Sequence, residues 1–242
     1  MGTVTEKGSK TLQRGLLSSE VVSMPLALRG LSEVRVSSRW ELPKRVLDTV
    51  LAAVLLVLLS PVLAIIAIAI RLNSPGPLLF RQERYGQDLK PFVVLKFRSM
   101  YDGVSPEAHR RFIARLATSD SSDEPGLKKL VDDPRVTRVG AFLRRASLDE
   151  LPQLVNVLLG EMSIVGPRPA LAYELEFYEP EHYTRFDVRP GLTGLWQVSG
   201  RNAIGFNGML ELDAEYARTV TLRLDTLILL RTPLALMRGK AA

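Results

Sequence analysis

The chain contains no cysteine and only two histidines, His109 and His182, in 242 residues. Disulfides, thiolate metal sites and a cysteine nucleophile are therefore excluded. A multi-histidine zinc centre or a serine–histidine triad has almost nothing to draw on. A Gly-x-Gly-x-x-Gly fingerprint, a Walker loop and a zinc-binding helix motif are also missing. There is no internal repeat, and no long apolar core follows the start as a signal peptide would require. Charge is missing entirely from Thr49 to Ile70, where every residue is apolar except Thr49 and Ser60.

What is present in excess is positive charge. Lysine and arginine number 32 against 26 acidic residues, a formal net charge of +6. This implies an anionic partner: nucleic acid, a phosphorylated substrate or anionic lipid. The arginines are scattered with no continuous basic run, so charge alone does not choose among the three. A nucleic-acid binder would rest on charge alone, with no recognition motif or stacking aromatics, and is set aside.

The charge-free run is about twenty residues long and rises about 30 Å as a helix, the thickness of a hydrocarbon core. It predicts a membrane-inserted helix. Ser60-Pro61 falls mid-run; proline removes a backbone donor and predicts a bend, with the serine hydroxyl available to a freed carbonyl. Lys44 and Arg45 precede the run while Arg71, Arg81 and Arg84 follow it. Basic residues on both flanks place both ends on one side of the membrane, so a re-entrant helix bent at Ser60 and Pro61 is expected rather than a crossing.

Before the run, residues 1–40 read as a flexible arm. After it, Leu78 to Arg81 and Pro91 to Phe97 read as strands joined by a turn at Gly86-Gln87-Asp88. Helices are expected over Glu107–Leu116, with Phe112, Ile113 and Leu116 on one face, and over Thr137–Arg145, Leu151–Leu159, Tyr173–Tyr178 and Met209–Tyr216. Gly160 should stop the third of these. Thr118 to Gly126 reads as an acidic loop, and Arg189 to Gly194 as a rigid one. Leu222 to Met237 is too charged to span a bilayer and reads equally as an interfacial amphipathic helix or a core-packing one.

Chemistry concentrates at Ser147-Leu148-Asp149-Glu150-Leu151-Pro152. Two adjacent carboxylates at a helix start are held ionised by the macrodipole, beside backbone N–H groups able to receive phosphate. Such an acid could accept a phosphoryl group or bind magnesium. The same letters also spell a Ser-x-x-Glu capping box, which says only that a helix begins. Pro152 leaves open whether the helix starts at Ser147 or near Leu151. Lys96, Arg98, Arg144, Arg145, Arg168, Arg189 and Arg201 are the candidate phosphate ligands. Arg168 leads them, because Pro167 and Pro169 restrict its backbone on both sides and its planar fork matches two phosphate oxygens.

Taken in order, several segments resemble the bacterial sugar transferase family, the monotopic polyprenyl-phosphate phosphoglycosyl transferases. They are Lys44-Arg45-x-x-Asp48, Ser60-Pro61, Leu95-Lys96-Phe97-Arg98-Ser99-Met100, Ser147 to Leu154, Ile164 to Pro169, and Arg189 to Arg201. The resemblance covers about residues 40 to 240. It implies a monotopic membrane protein with an irregular, mostly helical α/β catalytic domain, a small β-hairpin, a re-entrant helix and interfacial amphipathic helices. The expected divisions are an arm over 1–40, the re-entrant helix over 41–72 and a cytoplasmic catalytic domain over 73–242. With only the arm ahead of the helix, a minimal form of the family is expected.

The resemblance also implies a reaction. A UDP-sugar gives its sugar-1-phosphate to undecaprenyl phosphate and releases UMP, at the cytoplasmic face of a bacterial inner membrane. Asp149 maps to the residue that carries the covalent phosphosugar, Glu150 to its magnesium- or proton-handling neighbour, and Arg168 to a phosphate holder; Mg2+ is the implied cofactor. The lipid phosphate is expected to meet Lys44, Arg45 or the C-terminal helix. Exopolysaccharide-type initiation fits the Gly191 to Gln197 segment. The competing reading is a non-enzymatic, membrane-anchored protein that binds anionic lipid or glycan-assembly partners. A homodimer is left open.

Overall fold

The computed structural model describes residues 40–102, 110, 111, 113, 114, 134–200 and 204–238. The expected arm, apart from Trp40, together with the acidic loop over 118–126, Phe112, Leu116 and Arg201, lies outside the described residues. The elements are α1 (Glu41–Asn73), β1 (Leu79–Tyr85), β2 (Pro91–Phe97), α2 (Arg138–Ala146), α3 (Gln153–Leu159), β3 (Ser163–Val165), β4 (Gly191–Thr193), α4 (Leu195–Ser199), α5 (Phe206–Thr219) and α6 (Leu222–Arg238). Single or double turns of 3-10 helix connect them at Gln87–Leu89, Leu148–Glu150, Ala172–Phe177 and Pro180–Asp187. The result is mostly helical, with two small two-stranded sheets.

The charge-free run forms the centre of α1. At 33 residues this helix is about 50 Å long, more than a hydrocarbon core needs. Among the described residues it is the one helix long and apolar enough to cross a membrane. Val54, Val57, Leu58, Val62, Ile65 and Ile68 are exposed, an apolar surface that demands lipid around it. Pro61 lies inside the helix. The carbonyl its missing N–H would have bonded is that of Val57, and Ser60 Oγ donates to that oxygen at 2.8 Å.

Both ends of α1 are fastened to the rest of the chain. Near its start the Arg45 guanidinium donates to the carbonyls of Val157 and Leu158, closing the end of α3. Asp48 accepts from Ser163 Oγ at 2.7 Å and from the Ile164 N–H at 3.1 Å. Ala52 is fully buried in the main core with Leu154, Val157, Met162 and Tyr216. Near its finish Ile66 and Ile70 pack with Phe97 and Leu143, and Asn73 Oδ1 accepts the Val139 N–H at 2.9 Å.

The expected hairpin forms, its second strand on the expected span and its first running four residues past Arg81 to Tyr85, in antiparallel register from Leu79 opposite Phe97 to Tyr85 opposite Pro91. Among the described residues no third strand joins the free edge of β2. Asn156 takes that place: its Oδ1 accepts the Leu95 N–H at 3.1 Å and its Nδ2 donates to Val93 O at 2.7 Å. Removing this amide would leave two strand groups and Glu161 short of a bond, a cost of about 1–3 kcal/mol for each buried group. β2 is held in place by that contact, and Lys96 rides on it.

β3 and β4 pair in parallel, Ser163 opposite Gly191 and Val165 opposite Thr193. The sequence reading had a rigid loop over Arg189–Gly194 and nothing at Ser163. Two short glycine-edged strands give no alternation to read, and their pairing is tertiary. Helices α2, α3, α5 and α6 arise within a few residues of their expected spans; Thr137 caps α2 by accepting the Gly140 N–H at 2.9 Å, and Gly160 ends α3 with φ of 86°. The expected Tyr173–Tyr178 helix is a 3-10 helix over Ala172–Phe177. Ile113 is fully buried, as its expected helical face requires. α6 packs one face into the core, with Ile228 and Asp225 buried, and leaves Leu230, Leu234 and Met237 exposed.

Candidate active site

Asp149 and Glu150 occupy the 3-10 turn between α2 and α3. Ser147 ends α2 in the left-handed region, with φ of 55°, and its side chain does not cap the turn. The chain then advances by i to i+3 bonds, the Leu151 N–H to Leu148 O at 3.3 Å and the Leu154 N–H to Leu151 O at 3.1 Å. Pro152 stands at the N-cap of α3, where its absent N–H goes unmissed. Of the two arrangements open to the sequence, the helix proper thus begins past the proline and both carboxylates precede it. Asp149 is 6% exposed. Glu150 is half-buried and accepts from Lys96 Nζ of β2 at 3.1 Å.

The second half of the site is the loop that leaves β3. Gly166 and Gly191 bring two backbones into contact: the Gly166 N–H donates to Thr193 O at 2.9 Å and the Gly191 N–H to Pro167 O at 2.7 Å. A Cβ on Gly191 would lie 2.0 Å from Gly166 N. The two proline–glycine motifs, far apart in sequence, are therefore interlocked. Arg168 projects from this junction, and its Nη1 reaches Glu174 Oε1 at 3.3 Å. Arg84 of β1 donates to Pro169 O at 2.7 Å and to Gln82 Oε1 at 2.9 Å. The Tyr85 and Ala170 backbones exchange hydrogen bonds beside it.

Electrostatics link the halves. Burial lowers the Arg84 pKa, and repulsion from Arg168 adds to it, bringing it to about 10; Glu174, Tyr173 and Glu150 pull the other way. Arg84 therefore stays charged at neutral pH. Burial alone would raise the Glu174 pKa, but Arg168, Arg84 and the Leu171 N–H outweigh it and hold the carboxyl below its usual range. Tyr173 is pushed up to about 12, mainly by burial and then by Glu174, and remains a neutral phenol. Two guanidiniums within mutual repulsion around one buried carboxylate leave this half of the site with one positive charge in excess, suited to a phosphate.

The structure thus pairs Glu150 with Lys96 and Arg168 with Glu174, and Arg84, coupled to both Glu150 and Arg168, stands between the two groups. Arg84, Glu174 and Tyr173 are not among the site residues expected from sequence. Single charged residues within strands or turns carried no signal that could have separated them from solvated ones. Arg98 goes elsewhere: it is buried, and its guanidinium donates to Ser74 O, Ser74 Oγ and Pro75 O, fastening the exit from α1. Arg144 is half-buried and Arg145 exposed, in the last turn of α2 just before the acidic pair. Lys44 donates to Val165 O at 3.0 Å and pairs with Asp225 at 2.6 Å, so with Arg45 it ties helices together. Trp196 is buried with Phe206, Met209 and Leu210.

Among the described residues no three Asp, Glu, His or Cys side chains gather to hold a metal. A magnesium ion does not need three. It is commonly held by one or two carboxylates, with substrate phosphates and water completing the shell. Asp149 and Glu150, adjacent on one turn, fit that donor set.

The family profile described as bacterial sugar transferase matches residues 39–239. The chain belongs to the bacterial sugar transferase family. This transferase is 40% identical over 189 residues to the exopolysaccharide production protein ExoY of Rhizobium meliloti (strain 1021), covering 78% of this chain and 83% of that protein. It is 44% identical over 202 residues to the UDP-glucose:undecaprenyl-phosphate glucose-1-phosphate transferase of Caulobacter vibrioides, covering 79% and 68%. A protein of the same name in Escherichia coli (strain K12) is 42% identical over 207 residues, which span 82% of this chain and 41% of that one. The family and the long apolar helix together make the transferase a membrane-associated enzyme of the exopolysaccharide type.

Proposed function

We propose that the transferase moves a sugar-1-phosphate from a UDP-sugar to undecaprenyl phosphate and releases UMP, opening the synthesis of an exopolysaccharide-type glycan. The observation that carries this reading is the acidic turn of buried Asp149 and Glu150, with Glu150 paired to Lys96 and within the field of Arg84, which in turn feels Arg168. The named activities of the Caulobacter and Escherichia relatives support the substrate classes. Incubating purified enzyme with magnesium, undecaprenyl phosphate and a panel of UDP-sugars, and following UMP, tests it. No UMP from any donor would reject the reading.

In the mechanism proposed, an Asp149 carboxylate oxygen attacks the sugar-bearing β-phosphorus. The bond from that phosphorus to the bridging oxygen breaks, and the oxygen leaves with UMP. A phosphate oxygen of the lipid then attacks the same phosphorus and frees the carboxylate, leaving a diphosphate between lipid and sugar. Each half is an anion attacking an anion, so positive charge must be in place beforehand. Arg168 would hold donor phosphate oxygens, Glu174 would orient its guanidinium, and Arg84 would add to the local field. Lys96 would hold Glu150 in place through their ion pair. A magnesium ion held by Asp149 and Glu150 would supply further charge neutralisation at the diphosphate.

The membrane helix is proposed to enter and leave the cytoplasmic leaflet of the inner membrane, bent at Ser60-Pro61. Basic flanks at both ends support this, and so does the attachment of both ends of α1 to one catalytic body. The absence of cysteine makes the test clean. Single cysteines at Glu41 and Arg71, both exposed, should each escape a membrane-impermeant reagent added outside intact cells and react after the cells are opened. Labelling of one but not the other from outside would replace the re-entrant helix with a crossing one.

A further inference from the structure

Arg168 is held from a second direction, by its backbone. Its N–H donates to Asp213 Oδ2 at 3.2 Å, and its carbonyl accepts from Arg185 Nη2 at 2.6 Å. The same Arg185 nitrogen meets the same Asp213 oxygen at 2.6 Å, closing a ring around one peptide residue. Both side chains are essentially sealed from water, at 1% and 0% exposure. Arg185 also donates to the Tyr178 hydroxyl, and its guanidinium lies 5.3 Å from that ring's centroid and 5.8 Å from that of Phe186. Asp213 comes from α5 and Arg185 from the 3-10 stretch Pro180–Asp187, so neither is a neighbour of Arg168 in sequence.

We infer that Arg185 and Asp213 are positioning residues for Arg168, fixing its backbone so that its guanidinium is already aimed when the donor diphosphate arrives. A buried ion pair is a weak source of stability, because desolvating two charges offsets most of their attraction, and apolar side chains would fill this space at no greater cost. The pair does something apolar groups could not. It satisfies both the N–H and the C=O of a residue whose proline neighbours supply no N–H of their own. Fixing the peptide groups on both sides of the Arg168 Cα sets the direction in which its side chain leaves the backbone, and Glu174 holds the guanidinium at the far end. Tyr178 and Phe186 then fix the plane of Arg185, so the clamp has little slack.

The inference rests on the reading that Arg168 binds donor phosphate, and the test separates the two. In the full-length enzyme, Arg185→Lys keeps the charge but loses the fork that bridges Arg168 O, Asp213 and Tyr178. It should lower kcat/KM for the UDP-sugar by about 100-fold, as expected for a displaced catalytic contact. The same change made on top of Arg168→Ala should have almost no further effect. Asp213→Asn, which keeps an acceptor for the Arg168 N–H, should fall between Arg185→Lys and wild type. A merely structural pair would give additive losses in the double variant, and that result overturns the inference. A second readout is independent of turnover: inorganic pyrophosphate should raise the melting temperature of wild type, require about 10-fold more ligand in Arg185→Lys, and do nothing in Arg168→Ala. If this pattern appears while no UDP-sugar is turned over, the transferase reading fails and the clamp stands. If Arg185→Lys responds to pyrophosphate as wild type does, the clamp fails.

Discussion

Asp149→Asn is expected to cut UMP release by about 10,000-fold or more, the scale seen when the nucleophile of a covalent mechanism is removed. The substitution exchanges one oxygen for a nitrogen and changes no volume, so the buried turn keeps its packing. What disappears is the negative oxygen able to bond to phosphorus, because an amide is no nucleophile at neutral pH. Magnesium affinity should also fall, since one of two adjacent carboxylates is gone. UMP release with a saturating donor, read beside a melting curve in the same detergent, checks this. An inactive variant that melts with wild type assigns the loss to chemistry; turnover within a few-fold of wild type would remove Asp149 from its role.

Gly191→Ala is the second large effect expected, and it acts through the fold. The new Cβ would stand 2.0 Å from Gly166 N and 2.5 Å from Thr193 O, both backbone atoms that no rotamer change can move. Relief requires β3 and β4 to separate, which breaks the Gly191–Pro167 and Gly166–Thr193 bonds. Overpacking of this kind costs about 3 kcal/mol, the upper end for added methyl groups in tight cores. The Arg168 loop emerges from that junction, so activity should fall further than unfolding alone explains. Denaturation in detergent, with activity measured well below the midpoint, separates the two losses. A variant with unchanged stability and rate would mean that the interlock is not needed.

How much of this was legible in the sequence follows from what each feature depends on. α1 was readable because a charge-free run is a property of consecutive residues, and a bond from Ser60 to a freed carbonyl could be anticipated from the Ser60-Pro61 pair. The hairpin followed from the β-rich run Phe92 to Leu95 and from its turn formers. Asp149 and Glu150 stood out as adjacent acids at a helix start, and Arg168 through the prolines that restrict its backbone. By contrast, Arg84, Glu174, Arg185 and Asp213 acquire meaning only through contacts across as many as 85 positions of chain, and scattered charge in a basic protein is indistinguishable from solvated surface. Arg98 shows the converse. Its motif beside Lys96 suggested a phosphate ligand, yet it secures the Ser74-Pro75 turn, because a buried guanidinium takes the nearest unpaired carbonyls. Lys44 and Arg45, which with the C-terminal helix were the alternatives for meeting the lipid phosphate, bond Asp225 and the end of α3.

The central claim concerns a phosphosugar briefly esterified to one carboxylate, and mass spectrometry of the donor-treated enzyme tests it most directly. With UDP-sugar and magnesium present and the lipid acceptor withheld, the peptide bearing position 149 should gain the mass of one sugar phosphate. Adding undecaprenyl phosphate should discharge it into product. If product accumulates on adding the lipid while no such adduct can be trapped beforehand, transfer passes directly between the substrates and the acid does something else.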